Sequence, residues 1–341
     1  MKYFLTFALI ALLGASAGPQ DAKVPRFSHI FVIMEENKDY GQIIGSPDAP
    51  TITALGKRYG YATQFYAETH PSQPNYVALI GGYTYGIRDD DAFYCHADDQ
   101  RPYCKNSSKP GYVDHTVDRP SLASQLEAAG LTWKNYNEDL PSPGSEAIAA
   151  GAYAAKHSGF LNYASVQNDP KRAQKVVGFD QFAADLKSGD VPNFAFVIPD
   201  LCDEMHGMGA DGTPADCRFS NMDKLIWRGD RNVKAIVGEI MATPIWRASS
   251  NVAIVVTFDE DDHYGLEGCC GVDANDPANR GGGHIGTIVI TNHGPRGVVD
   301  ATPYSHYSLL RTIEDAFGID THLARAAAPG VVPMVPLFAK P

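Results

Sequence analysis

Two apolar runs in this chain stop in the same way. FVIM (31–34) runs into Glu35, Glu36 and Asn37, and AIVVTF (253–258) runs into Asp259, Glu260, Asp261 and Asp262. Runs this short and apolar at every position are buried on both faces, the pattern of parallel strands covered by helices on each side. The expected strands are His29–Met34, Phe194–Ile198, Asn251–Phe258 and Thr287–Thr291. Ser121–Ala129, Phe179–Lys187, Asn232–Met241 and Ser305–Phe317 carry the caps and glycine stops of helices, with Asp230 as the cap of the third. Alternating elements of this kind predict an α/β sandwich around a mostly parallel central sheet.

In an open parallel sheet the C-terminal strand ends line the ligand crevice. If the two acidic strand ends are neighbours, Glu36, Asp259 and Glu260 converge there and repel one another. A hard cation between the two strand ends would resolve that repulsion, because Asp, Glu and an Asn carbonyl are oxygen ligands; the plain alternative is that these are solvated loop acids. With oxygen ligands and no clear histidine among them, calcium, magnesium or manganese fits before zinc. Asp39, Asp261 and Asp262 read as surface charges or as supports for the ligands.

The stretch ETHPSQPNYVALIGG (68–82) reads as a helix starting at Ser72 and stopping at Gly81 and Gly82, with Pro74 in its first turn. Ser72 would sit at or near the N-cap, facing free backbone N–H groups and the positive end of the helix dipole. The plain reading is a cap worth about 1 kcal/mol. Beside a cation, the same hydroxyl becomes a nucleophile and a further metal ligand. No GxSxG elbow is present, so an ordinary serine esterase has no support.

A net charge of −12 over 341 residues argues against a nucleic-acid partner. Lys2, the apolar FLTFALIALLGA and Ala15-Ser16-Ala17 together read as a signal peptide over residues 1–17. The apolar stretch is too short for stable membrane insertion. A secreted or periplasmic mature chain, 18–341, is expected, forming a single domain with loop-rich insertions near 83–120 and 265–283. Six cysteines suit that compartment. Spacing favours Cys95 with Cys104 and Cys202 with Cys217, while Cys269 and Cys270 pair with each other or elsewhere.

HIFVIMEENKDYG, THPSQPNYVALIGG, VVTFDEDDHYG and SHYSLLRTIEDAFG occur in this order. Together they resemble the secreted phosphoesterase family of bacterial phospholipases C and acid phosphatases, which has an alkaline-phosphatase-like fold. The resemblance implies metal binding by Glu36, Asn37, Asp259 and Glu260, and Ser72 as nucleophile on that metal. It also implies that His157 and His206 hold the phosphate or protonate the leaving group. The short chain is more similar to the acid phosphatase branch. The expected activity is therefore metal-dependent hydrolysis of small phosphomonoesters through a phosphoserine, with an acidic optimum if a histidine is the acid. One alternative is a phospholipase C-like phosphodiesterase acting on a phospholipid headgroup. The other is a secreted binding protein that keeps its metal without turnover. Of the remaining groups, His70 reads as a support for Ser72, His284 and His306 as structural, and Glu138 as a residue at a strand end that orients a ligand. His96, His115, His263 and His293 carry no readable signal.

Overall fold

The computed structural model describes residues 23–340; the predicted signal peptide lies outside them. The strands are β1 His29–Glu35, β2 Gly60–Tyr66, β3 Trp133–Asn137, β4 Ala149–Ala150, β5 Tyr153–Ala154, β6 Val176–Val177, β7 Phe194–Ile198, β8 Val252–Phe258, β9 His284–Thr291, β10 Val298–Asp300 and β11 Tyr304–Ser305. All but the β4–β5 hairpin join one sheet in the order β10-β2-β9-β8-β1-β7-β3-β6, with β11 also on β2. Neighbours from β8 through β6 are parallel, as are β10 and β11 with β2. The exception is β9, antiparallel to both β2 and β8. The sheet is thus mixed and mostly parallel, with helices flanking it. The expected parallel run Thr287–Thr291 is corrected to an antiparallel strand that begins at His284.

The central strands β1, β7 and β8 are buried almost throughout, which is why they read as unbroken apolar runs. β2 escaped the sequence reading because GYATQFY carries polar residues, and of β3 only the end before Glu138 was expected, since WKNYN carries polar residues too. Lys134, on the outer part of β3, reaches Asp185 at 2.5 Å, and the Tyr136 hydroxyl donates to the same carboxylate at 2.6 Å. Tertiary partners, not apolar content, hold this strand.

The Ser72–Gly81 helix packs on His306–Phe317, and Pro50–Arg58 packs on Met222–Ala242. Every residue of the Ser72 helix is buried. Met222–Ala242 starts well before the expected Asn232. Gly229 does not break it: a Cβ there would lie 2.3 Å from Met205 Cγ, so the glycine admits the loop that carries Glu204 and His206. Asp230 is therefore not that helix's cap. It is buried mid-helix and accepts the N–H groups of Thr51 at 3.0 Å and Ile52 at 2.8 Å. It caps Pro50–Arg58, whose first residue is a proline suited to a helix start.

All three disulfides link near neighbours in sequence: Cys95–Cys104, Cys202–Cys217 and the adjacent Cys269–Cys270. The first lies in the irregular stretch after the Ser72 helix and the second in the loop after β7. Among the described residues no helix is long and apolar enough to cross a membrane.

Asp230→Ala strips the cap from Pro50–Arg58, so it should lower unfolding stability by about 1–2 kcal/mol in urea titration. Asp230→Asn, which keeps one acceptor, should recover part of the loss.

Candidate active site

Parallel register brings the two acidic strand ends level. Glu35 pairs with Phe258 across β1 and β8, and Asp259 N–H donates to Glu35 O at 3.1 Å. Beyond that point Asn37 N–H donates to Asp259 Oδ1 at 3.1 Å, and Asn37 Nδ2 to Glu260 Oε1 at 2.6 Å. Ser72, at the first turn of its helix, closes the group. Its hydroxyl lies 3.1 Å from Glu36 Oε2 and 3.3 Å from Glu260 Oε1. Positions 36, 72 and 260 thus meet at one buried hydroxyl.

The loop before Ser72 is fixed from several sides. Asn75 Oδ1 accepts the N–H groups of Glu68 and Thr69, and its Nδ2 donates to Thr69 O and Pro71 O. His306 lies between Glu68 Oε2 at 2.5 Å and Phe258 O at 2.8 Å. It therefore ties the end of β8 to the loop that leads to the hydroxyl. Gly281 and Gly282 donate to Glu68 O and Ala67 O. A Cβ on Gly282 would come within 2.4 Å of Thr69 O, so only glycine allows this approach.

Ser72 follows the capping position, which is Pro71. The helix N-terminus is also less open than expected, because Gln73 N–H donates to Asp90 Oδ1 at 3.1 Å. Asp90 in turn holds Lys156 Nζ at 2.9 Å. Burial opposes charge on Lys156, but Asp90 and Glu36 outweigh it and raise its pKa.

His157 is buried between two carboxylates, with Nδ1 2.8 Å from Glu204 Oε1 and Nε2 3.3 Å from Glu36 Oε1. Its ring stacks on Tyr76, whose hydroxyl donates to Glu36 Oε1 at 2.5 Å. His206 lies 5.6 Å from His157 between ring centroids. Burial and Lys156 push His157 well below its ordinary value and His206 down to about 4. Burial pushes Glu36, Asp259, Glu260 and Glu204 upward, and their mutual repulsion adds to the rise at Glu36, Glu260 and Glu204. Burial thus disfavours the charged form of the carboxylates and of the imidazoles alike in this group.

Two sets of side chains here suit a cation. Asn37 Oδ1 and Asp259 Oδ2 are buried without a hydrogen-bond partner, beside Glu260 and Ser72. Glu36, His157 and His206 bring one ligand atom each within 4.8 Å of one another. Two imidazoles at this edge add nitrogen donors that the sequence reading had not counted, so zinc is no longer disfavoured by the donor set.

His70 reaches Glu260 Oε2 with Nδ1 at 2.7 Å and Gly265 O with Nε2 at 2.9 Å. His284 is structural, bonded to Thr63 O at 3.0 Å and stacked between Tyr40 and Tyr66. The sequence reading missed Tyr76, Lys156, Glu204 and His115. Lys156 stands directly before His157, and Glu204 two residues before His206. His115 is buried with Nδ1 2.8 Å from Gln73 Oε1.

The sequence profile of the Phosphoesterase family matches residues 46–320. The phosphatidylinositol-3-phosphatase of Mycobacterium tuberculosis is 30% identical over 93% of this chain and 90% of its own length. An acid phosphatase of Aspergillus fumigatus is 24% identical over 86% of this chain, which spans only 55% of that enzyme. Among solved structures, a protein in the alkaline phosphatase superfamily from Vibrio parahaemolyticus superposes with a TM-score of 0.52 at 12% identity, covering 93% of this chain and 71% of that one. That likeness shows a shared fold.

With no cation bound, the raised carboxylates give native protein more bound protons than unfolded chain above the ordinary range of about 4–5. The stability they contribute at lower pH is lost as pH rises through their native pKa values. In EDTA, the melting temperature should therefore fall by about 2 °C or more between pH 5 and 8. A divalent cation should remove that fall, and Glu260→Gln should lessen it in EDTA. Calorimetry that finds no pH dependence in EDTA would count against the charge crowding described here.

Proposed function

We propose, from the premise that this chain belongs to the Phosphoesterase family, that it is a metal-dependent acid phosphatase acting on phosphomonoesters through a phosphoserine at Ser72. The chain is a phosphoester hydrolase. The observation that carries the finer reading is the Ser72 hydroxyl within 3.1 Å of Glu36 Oε2 and 3.3 Å of Glu260 Oε1. A hydroxyl so placed has two bases within reach and donors for a cation around it.

Glu36, Asn37, Asp259 and Glu260 would hold the divalent cation, with Ser72 at its edge. When bound, such an ion lowers the pKa of the hydroxyl and offsets charge on the phosphoryl oxygens. Ser72 Oγ gives up its proton to a neighbouring carboxylate and attacks phosphorus. The bond to the ester oxygen breaks, and the leaving alkoxide takes a proton from solvent water, or from His206 where that ring is protonated. Water then attacks phosphorus, the bond to Ser72 Oγ breaks, and the proton held by the carboxylate returns to the serine oxygen. Lys156 supplies positive charge beside Glu36, and His157 stays neutral, fixed between Glu36 and Glu204. The Nδ1–H of His206 is taken by Gly207 O at 2.8 Å, so its Nε2 has a proton to offer phosphate or the leaving group only where the ring is protonated. With its pKa held near 4, that role limits acid catalysis to low pH and favours an acidic optimum.

The Mycobacterium relative is named for removing a phosphate from a phosphoinositide, which supports a monoester over a diester and admits a lipid headgroup as substrate. The disulfides support export, since such bonds persist in oxidising compartments.

A panel of p-nitrophenyl phosphate and p-nitrophenyl phosphorylcholine, with and without chelator, tests the reading. The monoester should turn over faster, and chelation should abolish turnover reversibly. Ser72→Ala should lower kcat by roughly a thousandfold or more while melting as a folded protein. Full activity in Ser72→Ala would remove serine as the nucleophile.

A further inference from the structure

We propose that a basic cleft beside the Ser72 site binds a second phosphate on the substrate, so that the preferred monoesters carry two phosphates. This rests on Ser72 as the phosphoryl acceptor. The cleft, about 320 Å³, is lined by Arg88, Lys109 and Arg280 together with His70, Asp89 and Tyr112. Its volume is at the small end of the range for ligand pockets and suits a phosphate-sized group.

Three observations carry the inference. First, the three cations come from separate segments: Arg88 follows the Ser72 helix, Lys109 lies beyond the Cys95–Cys104 disulfide, and Arg280 precedes the glycines that bind the loop before Ser72. The fold gathers them; no single helix face explains their meeting. Second, none of the three is ion-paired with a carboxylate among the described residues. The one lining carboxylate, Asp89, is already engaged by His115 Nε2 at 3.1 Å. A chain of net charge −12 thus leaves unpaired positive charge in one small cleft. Third, the cleft adjoins the reaction centre. His70 lines it and touches Glu260 at 2.7 Å, and Glu260 is 3.3 Å from the Ser72 hydroxyl. Tyr112 is held in place by stacking on His115, with ring centroids 5.5 Å apart.

Guanidinium and ammonium groups in one concave site recognise phosphate. Two sources could bring that second phosphate: a soluble bisphosphate, or the diester phosphate of a lipid headgroup. The test uses p-nitrophenyl phosphate, soluble inositol 1,3-bisphosphate, and phosphatidylinositol 3-phosphate in phosphatidylcholine vesicles. In Lys109→Ala/Arg280→Ala, kcat/KM for the soluble bisphosphate relative to p-nitrophenyl phosphate should fall about tenfold or more, mostly through KM. Arg280→Lys alone should retain most of the ratio. An equal loss on vesicles points to the lipid headgroup as a true source; a loss confined to the soluble substrate points to a free bisphosphate. A ratio unchanged within twofold on both substrates overturns the proposal. Calorimetric titration of inositol 1,3-bisphosphate into Ser72→Ala, with and without the two alanine substitutions, reads the cleft without catalysis. If wild type hydrolyses none of the three substrates, the Ser72 reading fails on its own, and the titration still decides the cleft. Equal affinity with and without Lys109 and Arg280 overturns the proposal.

Discussion

Negative charge buried around one hydroxyl is the condition to which the rest of this structure answers. Glu36, Asp259, Glu260 and Glu204 are all buried near Ser72, and Lys156 is the lysine that Asp90 holds against them. Isolated carboxylates in such a place are costly, so the charge must be removed by protons or balanced by cations. Protons alone satisfy the group at low pH. Above the carboxylate range, positive charge such as that of Lys156 offsets it. On the proposed mechanism, the same crowding that costs stability favours a bound cation, and that cation would make the hydroxyl reactive.

A site of this kind needs rigid walls, and the walls are backbone contacts. Asp259 N–H bonds back to β1, and His306 bonds to the last carbonyl of β8 while reaching Glu68. Asn75 holds the chain just before the serine from both its amide atoms. These contacts limit how far Glu36, Ser72 and Glu260 can separate. Because β1 and β8 are parallel and in register, a slip of one residue would send the carboxylates to the opposite face of the sheet. The long apolar runs that stop in acids are what fix that register.

The sheet's centre and the oxygen-rich part of the site were legible because both rest on local pattern. FVIM and AIVVTF are buried on both faces, and the acids begin where burial would otherwise continue. The serine helix was legible from its proline and its glycine stop. What was hidden depends on packing across the fold. The helix around Asp230 begins at Met222 and not after Asp230, and Gly229 within it leaves room for Met205. Asp230 reads as the cap of its own helix, but its two oxygens serve Thr51 and Ile52 of another. WKNYN is held as a strand by its ladders to β7 and β6, with Asp185 satisfying Lys134 and Tyr136. The lowered pKa of His157 rests first on burial, which a sequence does not display, and then on its chain neighbour Lys156.

The division of labour between sheet and loops follows from the same physics. Groups that crowd charge must be held to within fractions of an ångström, and strand ends and the first turn of a buried helix do that. Groups that only attract a distant part of a substrate tolerate looser placement, because charge attraction falls slowly with distance in a partly hydrated cleft. Arg88, Lys109 and Arg280 all sit on irregular segments, one of them beyond a disulfide that ties down its loop. On the proposed reading, changing those loops would alter which phosphoester is preferred while leaving the strand ends in place, and changing Glu36, Asn37 or Glu260 would alter whether the hydroxyl is reactive at all.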